Sequence, residues 1–325
     1  MSGPLMPPEA ELSHASKAPR SVPGGPGRKP EWLKKPLPDS RSLRRMEALL
    51  RDRRLHTVCE SALCPNLGEC FGRGTATFLI MGDVCTRGCR FCGVSKGLAS
   101  ALDPEEPHNV AEAVASLGLR HVVITSVTRD DLSDGGAAHY VATVRAVRAR
   151  NPGVTVEVLV PDFLGRVHDV DVVLAAAPEV FNHNVETVPR LYPTVRPQAD
   201  YKRSLQVLSR AATRRTGLTK TGLMVGLGES GGEVSEVLKD VAALGVDVVT
   251  IGQYLRPSKD HIPVAEYVRP EVFAAYRETG EALGLQVHAA PLVRSSYHAA
   301  ESLETARRGK AGREPLYSEA DAELQ

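Results

Sequence analysis

Six cysteines are the residues of this sequence whose type and spacing could carry out chemistry. All of them lie within residues 59–92, and the rest of the 325-residue chain contains none. Disulfide frameworks are typical of short secreted chains, and the N-terminal residues carry Pro and Glu where a signal peptide needs an apolar core. Clustered thiols in a long chain of a reducing compartment indicate metal binding instead. The thiols form two trios, Cys59-x4-Cys64-x5-Cys70 and Cys85-x3-Cys89-x2-Cys92.

The second trio has the spacing of an iron–sulfur site. Three thiolates this close can bind three irons of a cubane [4Fe–4S] cluster. The fourth iron then lacks a protein ligand, so it can bind a small molecule. Zinc is the alternative, but structural zinc normally takes four ligands, with a second C-x2-C or a nearby His pair. The sequence offers this trio no such partner pair. We therefore expect a cluster with one open iron.

The first trio is open to two interpretations. Three cysteines at these spacings could hold a second cluster, or they could be buried thiols that only pack. Their position directly before the second trio favours a cluster. A cubane takes four ligands, and the chain has no seventh cysteine. The fourth ligand must therefore be another type of residue or an exogenous group.

The elements that must position these cysteines are indicated by alternating strand-like and helix-like segments. The strand-like segments are short, nearly continuous apolar runs, as expected for parallel strands covered on both faces. Strands are predicted over residues 77–81, 121–126, 154–160, 180–183, 222–226, 246–252 and 286–289. Helices are predicted over residues 109–117, with Asn109 as the N-cap, and over 137–150, 201–214, 233–244 and 270–283.

This alternation predicts consecutive βα units, and their number, about six, favours a parallel α/β barrel of the partial (β/α)6 TIM type. In such barrels the residues that do chemistry follow the C-terminal ends of the strands. The second trio directly follows the strand predicted over residues 77–81. The cysteine loop is therefore expected at the mouth of the barrel.

The chain divides into four regions. Residues 1–40 hold nine of the 23 prolines and are expected to form a disordered arm, with Trp32 either anchored on the body or exposed. Residues 41–74 form an N-terminal extension that carries the first trio. The barrel is assigned to residues 75–290, and residues 291–325 form a C-terminal segment with a frayed end.

Charge and hydropathy exclude some classes of function. Lys and Arg number 40 against 39 Asp and Glu, so the net charge of +1 gives no reason to expect nucleic-acid binding. No uncharged apolar run approaches the roughly 20 residues that span a membrane, and we expect a soluble, cytoplasmic protein. Residues 17–54 are locally basic and include an amphipathic helix predicted over 41–55. This basic stretch either docks an acidic partner or is a solvated helix.

The second trio, placed on a barrel, resembles the radical S-adenosylmethionine (SAM) superfamily. That resemblance implies that Cys85, Cys89 and Cys92 hold the cluster and that its open iron binds the methionine part of SAM. It also places Phe91 near the adenine, where simple loop packing is the alternative. In this superfamily one electron cleaves SAM to a 5′-deoxyadenosyl radical. That radical abstracts hydrogen from positions that no acid or base could activate.

Further stretches are similar to the lipoyl synthase family within that superfamily. The similarity runs from about residue 29 to residue 299 and includes both trios in their order. The other stretches are TRDDLSDGGAAHY (128–140), FNHNVETVPRLYPTVRP (181–197), GLMVGLGE (222–229), IGQYLRPSKDHIPV (251–264) and Arg294-Ser295-Ser296-Tyr297. The chain departs from the family pattern at Ser61, Phe71 and Ala290, and none of these is a ligand position.

The resemblance implies a ligand set and a reaction. Ser296 supplies the fourth ligand of the auxiliary cluster held by the first trio, and its oxygen binds iron less well than a thiolate does. The reaction is the insertion of two sulfur atoms at C6 and C8 of an octanoyl chain. Each hydrogen abstraction consumes one SAM, and the auxiliary cluster is the sulfur source. Both trios and Ser296 must then share one barrel mouth.

The same resemblance implies partners. The octanoyl chain is carried in amide linkage on a lysine of a lipoyl-carrier protein, a 2-oxoacid dehydrogenase E2 or a glycine-cleavage H protein. An electron donor such as ferredoxin or flavodoxin and an iron–sulfur cluster carrier are also expected. Neither a nucleic acid nor a membrane is expected as a partner.

Polar residues that follow predicted strands supply further candidate contacts. Arg129 and Asp130 follow the second strand, and Asn184 and Glu186 follow the fourth. We expect these four to contact the cofactor, with Glu186 suited to the ammonium group or a ribose hydroxyl of SAM. A surface ion pair or a turn is the alternative for each. Weaker candidates at strand ends are Asp131, Asn182, Lys220, Gln253, Tyr254 and Arg256, and Arg294 is suited to steady a cluster sulfide or the substrate.

The glycines of GLMVGLGE suggest phosphate binding at first sight. The pattern G-x-G-x-x-G is absent, however. Close approach of the backbone at Gly222, Gly226 and Gly228 to SAM or substrate explains them better.

Two other functions compete with this interpretation. Another sulfur-inserting radical enzyme, such as a biotin synthase or a methylthiotransferase, would lack the first trio with its serine or would carry an RNA-binding module. A non-catalytic iron–sulfur redox sensor would not need a barrel of this length, and an open iron would be a liability to it.

Overall fold

The computed structural model describes most of the chain between residues 28 and 305. The described residues are 28–34, 40–61, 64, 66–72, 77–296, 299–301 and 303–305. The predicted disordered arm up to residue 27 and the predicted frayed end lie outside them. Within the arm, Glu31–Leu33 form a 3-10 turn in which Leu33 is buried and Trp32 is 38% exposed. Of the two predictions for Trp32, exposure is the one observed.

Eight strands form one sheet whose spatial order follows the chain. The first pairing is antiparallel, and the six that follow are parallel. Within the described ranges the sheet order ends at its last strand without returning to its first, so the barrel is partial, as predicted. The strands are β1 His56–Thr57, β2 Thr77–Ile80, β5 His121–Ser126, β6 Thr155–Leu159, β7 Val180–Asn182, β8 Leu218–Val225, β9 Val248–Gln253 and β10 Gln286–Ala289, while β3 Val84–Cys85 and β4 Ser95–Lys96 pair separately.

Helices alternate with the parallel strands and cover the outside of the sheet. They are α1 Ser40–Asp52, α2 Val58–Ser61, α3 Leu67–Gly72, α4 Glu106–Leu117, α5 Ala137–Arg150, α6 Val167–Ala175, α7 Tyr192–Val195, α8 Tyr201–Arg214, α9 Gly231–Ala243 and α10 Pro270–Ala282. No helix in these described ranges is both long and apolar enough to cross a membrane.

One local prediction was wrong, and one helix was not predicted. Asn109 is not an N-cap, because α4 already begins at Glu106, and the backbone N–H of Asn109 donates to the carbonyl of Glu105 at 2.9 Å. Pro107 in the first turn fits a helix start because proline needs no intrahelical donor there. Helix α6 was not predicted, because its run VHDVDVVLA is rich in β-branched valine and so favours a strand by composition.

A buried ion pair lies inside the barrel, at the start of β8. Lys220 Nζ lies 3.0 Å from Glu157 Oε1, and Asn182 Nδ2 donates to the same oxygen at 3.0 Å. Burial alone would raise the pKa of Glu157, but the charge of Lys220 holds it below its usual range. Glu157 is thus neutralised by Lys220 and receives a further hydrogen bond from Asn182, so Lys220 and Asn182 support the barrel interior.

Candidate functional site

One cavity of about 330 Å3 lies at the C-terminal ends of the strands and contains thiols of both trios. The fold thus brings residues of the two trios close to the C-terminal serines, although they lie far apart in the sequence. Cys70 is not among the described residues of the wall, but the charges of Cys64 and Cys70 both act on Cys59, so the first trio is close together. The chemically notable residues in the wall are Cys59, Cys64, Cys85, Cys89, Cys92, Ser295 and Ser296.

The second trio begins where β2 ends. Met81 and Gly82 take left-handed backbone conformations, with φ of 67° and 89°, and turn the chain into the cysteine loop. The N–H of Met81 donates to the carboxylate of Glu106 at 2.7 Å, which fixes this turn. The backbone N–H groups of Arg87 and Thr128 point at Cys85 Sγ, at 3.4 and 3.3 Å.

A buried arginine ties the same loop to two strand ends. Arg87 donates to both oxygens of Asp130, at 2.6 and 2.9 Å, and to Asp162 at 2.6 Å. Asp162 also accepts from Arg203 at 3.2 Å. Burial alone would raise the pKa of Asp162, but Arg87 lowers it to about 2. The carboxylate therefore stays charged, and the loop is held by a charge-assisted network.

This network changes the expectation for two predicted cofactor contacts. The carboxylate of Asp130 is engaged by Arg87, and Arg129 is paired with Asp131 at 2.8 Å. Neither Arg129 nor Asp130 is among the described residues of the cavity wall. Their side chains brace the loop from outside, and the structure gives no support for direct contact with a cofactor.

The thiols suit iron–sulfur clusters. Burial raises the pKa of Cys59 and of Cys92 to about 12, and it raises the pKa of Cys89 as well. Such thiols keep their protons until a metal replaces them. Among the described residues, no three His, Cys, Asp or Glu side chains are grouped to hold a single metal ion. A cubane needs a wider spacing because each thiolate binds a different iron, and the cavity between the thiols provides room for it.

The C-terminal segment crosses the mouth of the barrel and is held there by backbone contacts. The N–H of Ala290 donates to the carbonyl of Ile251 at 3.1 Å, and that of Gln253 donates to the carbonyl of Pro291 at 3.2 Å. Asn66 of the N-terminal extension donates from Nδ2 to the carbonyl of Leu292 at 2.7 Å. These contacts carry the following residues, Arg294 to Ser296, into the cavity wall.

Two strand glycines make this crossing possible. A Cβ added at Gly252 would overlap the carbonyl oxygen of Val293, and one added at Gly222 would lie 2.6 Å from Ser295 Oγ. Gly226, with φ of 95°, is similarly crowded by Gln253. The predicted approach was to SAM or substrate, whereas the groups that crowd Gly222 and Gly226 here belong to the chain itself. An added Cβ at Gly228 would come no closer than 3.8 Å to Ala265 Cβ.

The two serines of the segment are in different environments. Ser295 Oγ donates to Asn184 Oδ1 at 2.9 Å, so its hydroxyl is already engaged. Ser296 lies in the same wall, two positions after Arg294, whose guanidinium also lines the cavity and is close enough to Cys64 for their charges to interact. Burial lowers the pKa of Arg294, while the charge of Cys64 opposes that change. The arginine is thus placed beside the first trio, as a group that steadies a cluster would be.

The loop after β7 supplies two of the predicted cofactor contacts. Asn184 and Glu186 both line the cavity, and Asn184 Nδ2 donates to Glu186 Oε1 at 3.0 Å. Glu186 takes a left-handed conformation with φ of 64° and pairs through its backbone with β8. Burial raises the pKa of Glu186, and the charge of Arg196 opposes this. A partly buried carboxylate that lies on a strained backbone position and faces a cavity is typical of a ligand-binding group.

The remaining predicted contacts have mainly structural partners. Phe91 lines the cavity and packs in a cluster with Tyr254 and Ile262. Tyr254 donates its hydroxyl proton to the carbonyl of Ile262 at 2.8 Å, and Gln253 Nε2 donates to the carbonyl of Glu266 at 2.9 Å. Arg256, outside the described wall, donates to the carbonyl of His261 at 2.7 Å. These polar groups are thus used in shaping the rim.

His183 and Arg196 are wall residues for which the sequence predicted no role. Both are buried and both line the cavity. Each lies within the stretch FNHNVETVPRLYPTVRP, which was singled out as a motif, although no role was assigned to either side chain. Their position in that stretch was the one available signal.

Comparison with known proteins gives a consistent result. Residues 79–241 match the family model of the radical SAM superfamily. A lipoyl synthase of Caldanaerobacter subterraneus is 59% identical over 86% of this chain and 99% of its own length. One from Rubrobacter xylanophilus is 54% identical over 87% of this chain and 89% of its own.

Similar solved structures share the fold at low sequence identity. The FeFe-hydrogenase maturase HydG of Carboxydothermus hydrogenoformans gives a TM-score of 0.51 at 14% identity, with 70% of this chain and 65% of that chain covered. SuiB of Streptococcus suis, bound to its precursor peptide SuiA, gives 0.51 at 11% identity, with 80% and 55% covered.

Proposed function

The chain belongs to the lipoyl synthase family of the radical SAM superfamily, and on that premise we propose which of its residues perform the reaction. Members of this family insert two sulfur atoms, at C6 and C8 of an octanoyl group attached to a lysine of a lipoyl-carrier protein. The enzyme uses SAM and [4Fe–4S] clusters. The competing interpretation as a non-catalytic sensor is thereby set aside.

Cys85, Cys89 and Cys92 are the proposed ligands of the SAM-binding cluster. The first trio and Ser296 are the proposed ligands of the auxiliary cluster. A single observation carries this assignment: one cavity is lined by thiols from both trios and by Ser296. Sulfur transfer to a carbon radical needs this proximity, since a radical formed far from its sulfur source would react elsewhere.

When bound, the two clusters and SAM supply a 5′-deoxyadenosyl radical and the sulfur atoms. The chain's own residues position and protect this chemistry. Arg87 holds the cysteine loop through Asp130 and Asp162. Asn184 and Glu186 orient the ribose or the ammonium group of SAM. The apolar part of the wall, which includes Leu79, Val127, Leu159, Val160, Leu223 and Met224, is suited to an octanoyl chain and excludes water from a radical.

Of the proposed ligands of the auxiliary cluster, Ser296 is the one that can most easily dissociate from iron. A hydroxyl oxygen is a harder and weaker partner for iron than a thiolate. The segment that carries Ser296 is held by backbone contacts to β9 and by Asn66, so its position depends on a few hydrogen bonds. Arg294, two positions before it, places a positive charge beside Cys64.

We also propose the partners and the compartment. The carriers are a 2-oxoacid dehydrogenase E2 or a glycine-cleavage H protein, the electron donor is a ferredoxin or flavodoxin, and an iron–sulfur carrier rebuilds the auxiliary cluster. All six cysteines are free thiols, which suits a reducing compartment such as the cytoplasm.

Two triple variants test the assignment of the trios. Replacing Cys59, Cys64 and Cys70 by Ala should leave about four irons per chain and preserve SAM cleavage, while abolishing sulfur insertion. Replacing the second trio should also leave about four irons but abolish SAM cleavage. Iron analysis and 5′-deoxyadenosine formation measure both. Loss of SAM cleavage in the first variant, with its iron retained, would contradict the assignment.

A further inference from the structure

His183 is a buried histidine whose protonation state follows from its surroundings. Its Nδ1 lies 2.9 Å from the carbonyl oxygen of Val160, at the end of β6. A carbonyl can only accept a hydrogen bond, so Nδ1 carries the proton. Burial and then the charge of Arg196 lower the pKa of His183 to about 4. The ring is therefore neutral near pH 7, and Nε2 is a bare hydrogen-bond acceptor.

The acceptor has no donor within the described part of the chain. His183 is 1% exposed and lines the cavity, and its Nε2 is buried without a hydrogen-bond partner there. The charged groups that act on it are Arg196, Asp162 and Arg87. Asp162 is occupied by two arginines and offers no proton, and Arg87 donates to its two aspartates. None of these satisfies Nε2.

Arg196 presents the complementary group. Its Nη1 donates to the carbonyls of Asn184 and Val185, at 3.0 and 3.2 Å, and its guanidinium lies 5.3 Å from the centre of the Tyr192 ring. The head group is thereby fixed. Its Nε, however, is a buried donor with no acceptor among the described residues. An unpaired buried acceptor and an unpaired buried donor thus belong to neighbouring residues of one wall.

We propose that His183 and Arg196 form a two-point subsite for a neutral ligand group that donates one hydrogen bond and accepts one. A hydroxyl group or a secondary amide has this character. A carboxylate does not, because it has no proton for Nε2 and its lone pairs would face those of the imidazole. The subsite rests on the proposed function, which supplies two sources of such a group. These are the ribose hydroxyls of SAM and the amide that joins the octanoyl chain to lysine.

Binding measurements on the cluster-loaded enzyme test the subsite without turnover. His183→Phe removes the acceptor, and His183→Gln restores one. Titration calorimetry with SAM and with an octanoyl-lysyl peptide should show a roughly tenfold to hundredfold loss of affinity for one of the two ligands in the Phe variant. The Gln variant should recover part of it. His108→Phe, at an exposed position, is the matched control and should change neither affinity.

Ligand analogues identify the source on the wild-type enzyme, so the test does not depend on a variant folding. If the group is a ribose hydroxyl, 2′-deoxy- or 3′-deoxy-SAM should bind more weakly to wild type and lose nothing further in His183→Phe. If it is the amide, a peptide with an ester in its place should behave in that way. Either pattern supports the subsite and names its ligand.

A second readout follows the imidazole itself. In protein with 15N-labelled histidine, the Nε2 resonance of His183 should move toward that of a hydrogen-bonded nitrogen when the ligand binds, while Nδ1 keeps its proton. Unchanged affinities in His183→Phe and an unmoved Nε2 resonance would overturn the subsite. Lipoyl formation by the wild type would survive that outcome, so the failure would be distinct from a failure of the proposed function.

Discussion

Asn66 and Leu292 are 226 positions apart in the chain and are joined by a 2.7 Å hydrogen bond from Asn66 Nδ2 to the Leu292 carbonyl. Asn66 lies between Cys64 and Cys70, and Leu292 lies four residues before Ser296. This bond connects the extension that carries the first trio to the segment that carries the serine. It is a direct structural link between the two parts of the proposed auxiliary-cluster site.

Asn66→Ala should therefore loosen the auxiliary cluster selectively. Removing a buried donor that pairs with a backbone carbonyl costs about 1–3 kcal/mol, and here the cost falls on the contact between the extension and the C-terminal segment. Iron per chain should fall while SAM cleavage without substrate is kept. Asn151→Ala is the control, since Asn151 Nδ2 also donates to a carbonyl, that of Ala111, far from the cavity. Equal iron loss in both variants would contradict the specific role of Asn66.

The two serines of the segment should respond differently to alanine. Ser296→Ala removes a proposed ligand, so the auxiliary cluster should be lost more readily and sulfur insertion should drop by at least about tenfold. Ser295→Ala removes the hydrogen bond to Asn184, so it should keep its iron and weaken SAM or substrate binding instead. Iron analysis beside binding measurements separates the two. If Ser296→Ala kept its iron and Ser295→Ala lost iron, Ser295 rather than Ser296 would be the cluster ligand.

Arg87→Met should lower the free energy of unfolding far more than an equivalent substitution at the surface does. It leaves the buried carboxylate of Asp162 without its main partner, and breaking such a pair costs about 3–5 kcal/mol. Arg210→Met breaks a two-pronged pair with Asp171 that is partly exposed, for which we expect less than about 1 kcal/mol. Denaturant unfolding of the metal-free chain compares them. Similar midpoints would show that the network around Arg87 is not a major support.

Gly252→Ala should displace the C-terminal segment, because the added Cβ would overlap the carbonyl of Val293. The barrel should remain folded, while auxiliary iron and sulfur insertion fall together. Gly232→Ala is the control, since its added Cβ would come no closer than 3.9 Å to Ser230 Oγ. Normal iron content in Gly252→Ala would mean that the segment need not lie where the structure has it.

His183 should make stability depend on pH in a defined window. Its pKa is about 4 in the folded chain, against a usual value near 6.5. Between these two pKa values the unfolded chain binds a proton at His183 and the folded chain does not. The stability present near pH 7 is therefore lost as pH falls from about 6.5 toward 4. The loss between pH 7 and pH 5 amounts to about 2 kcal/mol. His183→Gln should flatten this part of the profile, and an unchanged slope would contradict a neutral buried ring.

The sequence was sufficient to predict most of the fold because its apolar runs and stop signals agree with one another. Ala137–Arg150 and Tyr201–Arg214 were predicted at their observed bounds. The start of β8 was predicted four residues late, at 222 rather than 218. Apart from Leu218, the first residues of β8 are polar, so they do not belong to an apolar run. Lys220 can lie in the strand because Glu157 neutralises it inside the barrel. Such a pairing depends on tertiary structure, which a single segment does not show.

Site residues that lie close together in the sequence could be predicted, whereas those that depend on tertiary contacts could not. Cysteine spacing identified the two trios, since ligands of one cluster lie close in sequence. Proximity to a strand end placed Arg129 and Asp130 in the right region, but it does not determine which way a side chain points, and both form ion pairs outside the described cavity wall. His183 and Arg196 are candidates for ligand binding because each has a buried polar atom without a hydrogen-bond partner among the described residues. Only the folded structure shows this.

The central claim is that one cavity brings a radical and its sulfur source together. A single turnover with isotopically labelled clusters tests it most directly. The chain is reconstituted anaerobically with iron and 34S-sulfide, freed of excess sulfide, and given SAM, a reductant and a limiting octanoyl-lysyl peptide. We predict about eight irons per chain, 5′-deoxyadenosine, and a lipoyl peptide in which both sulfur atoms are 34S. About four irons, no cleavage of SAM, or a product with unlabelled sulfur would contradict the account.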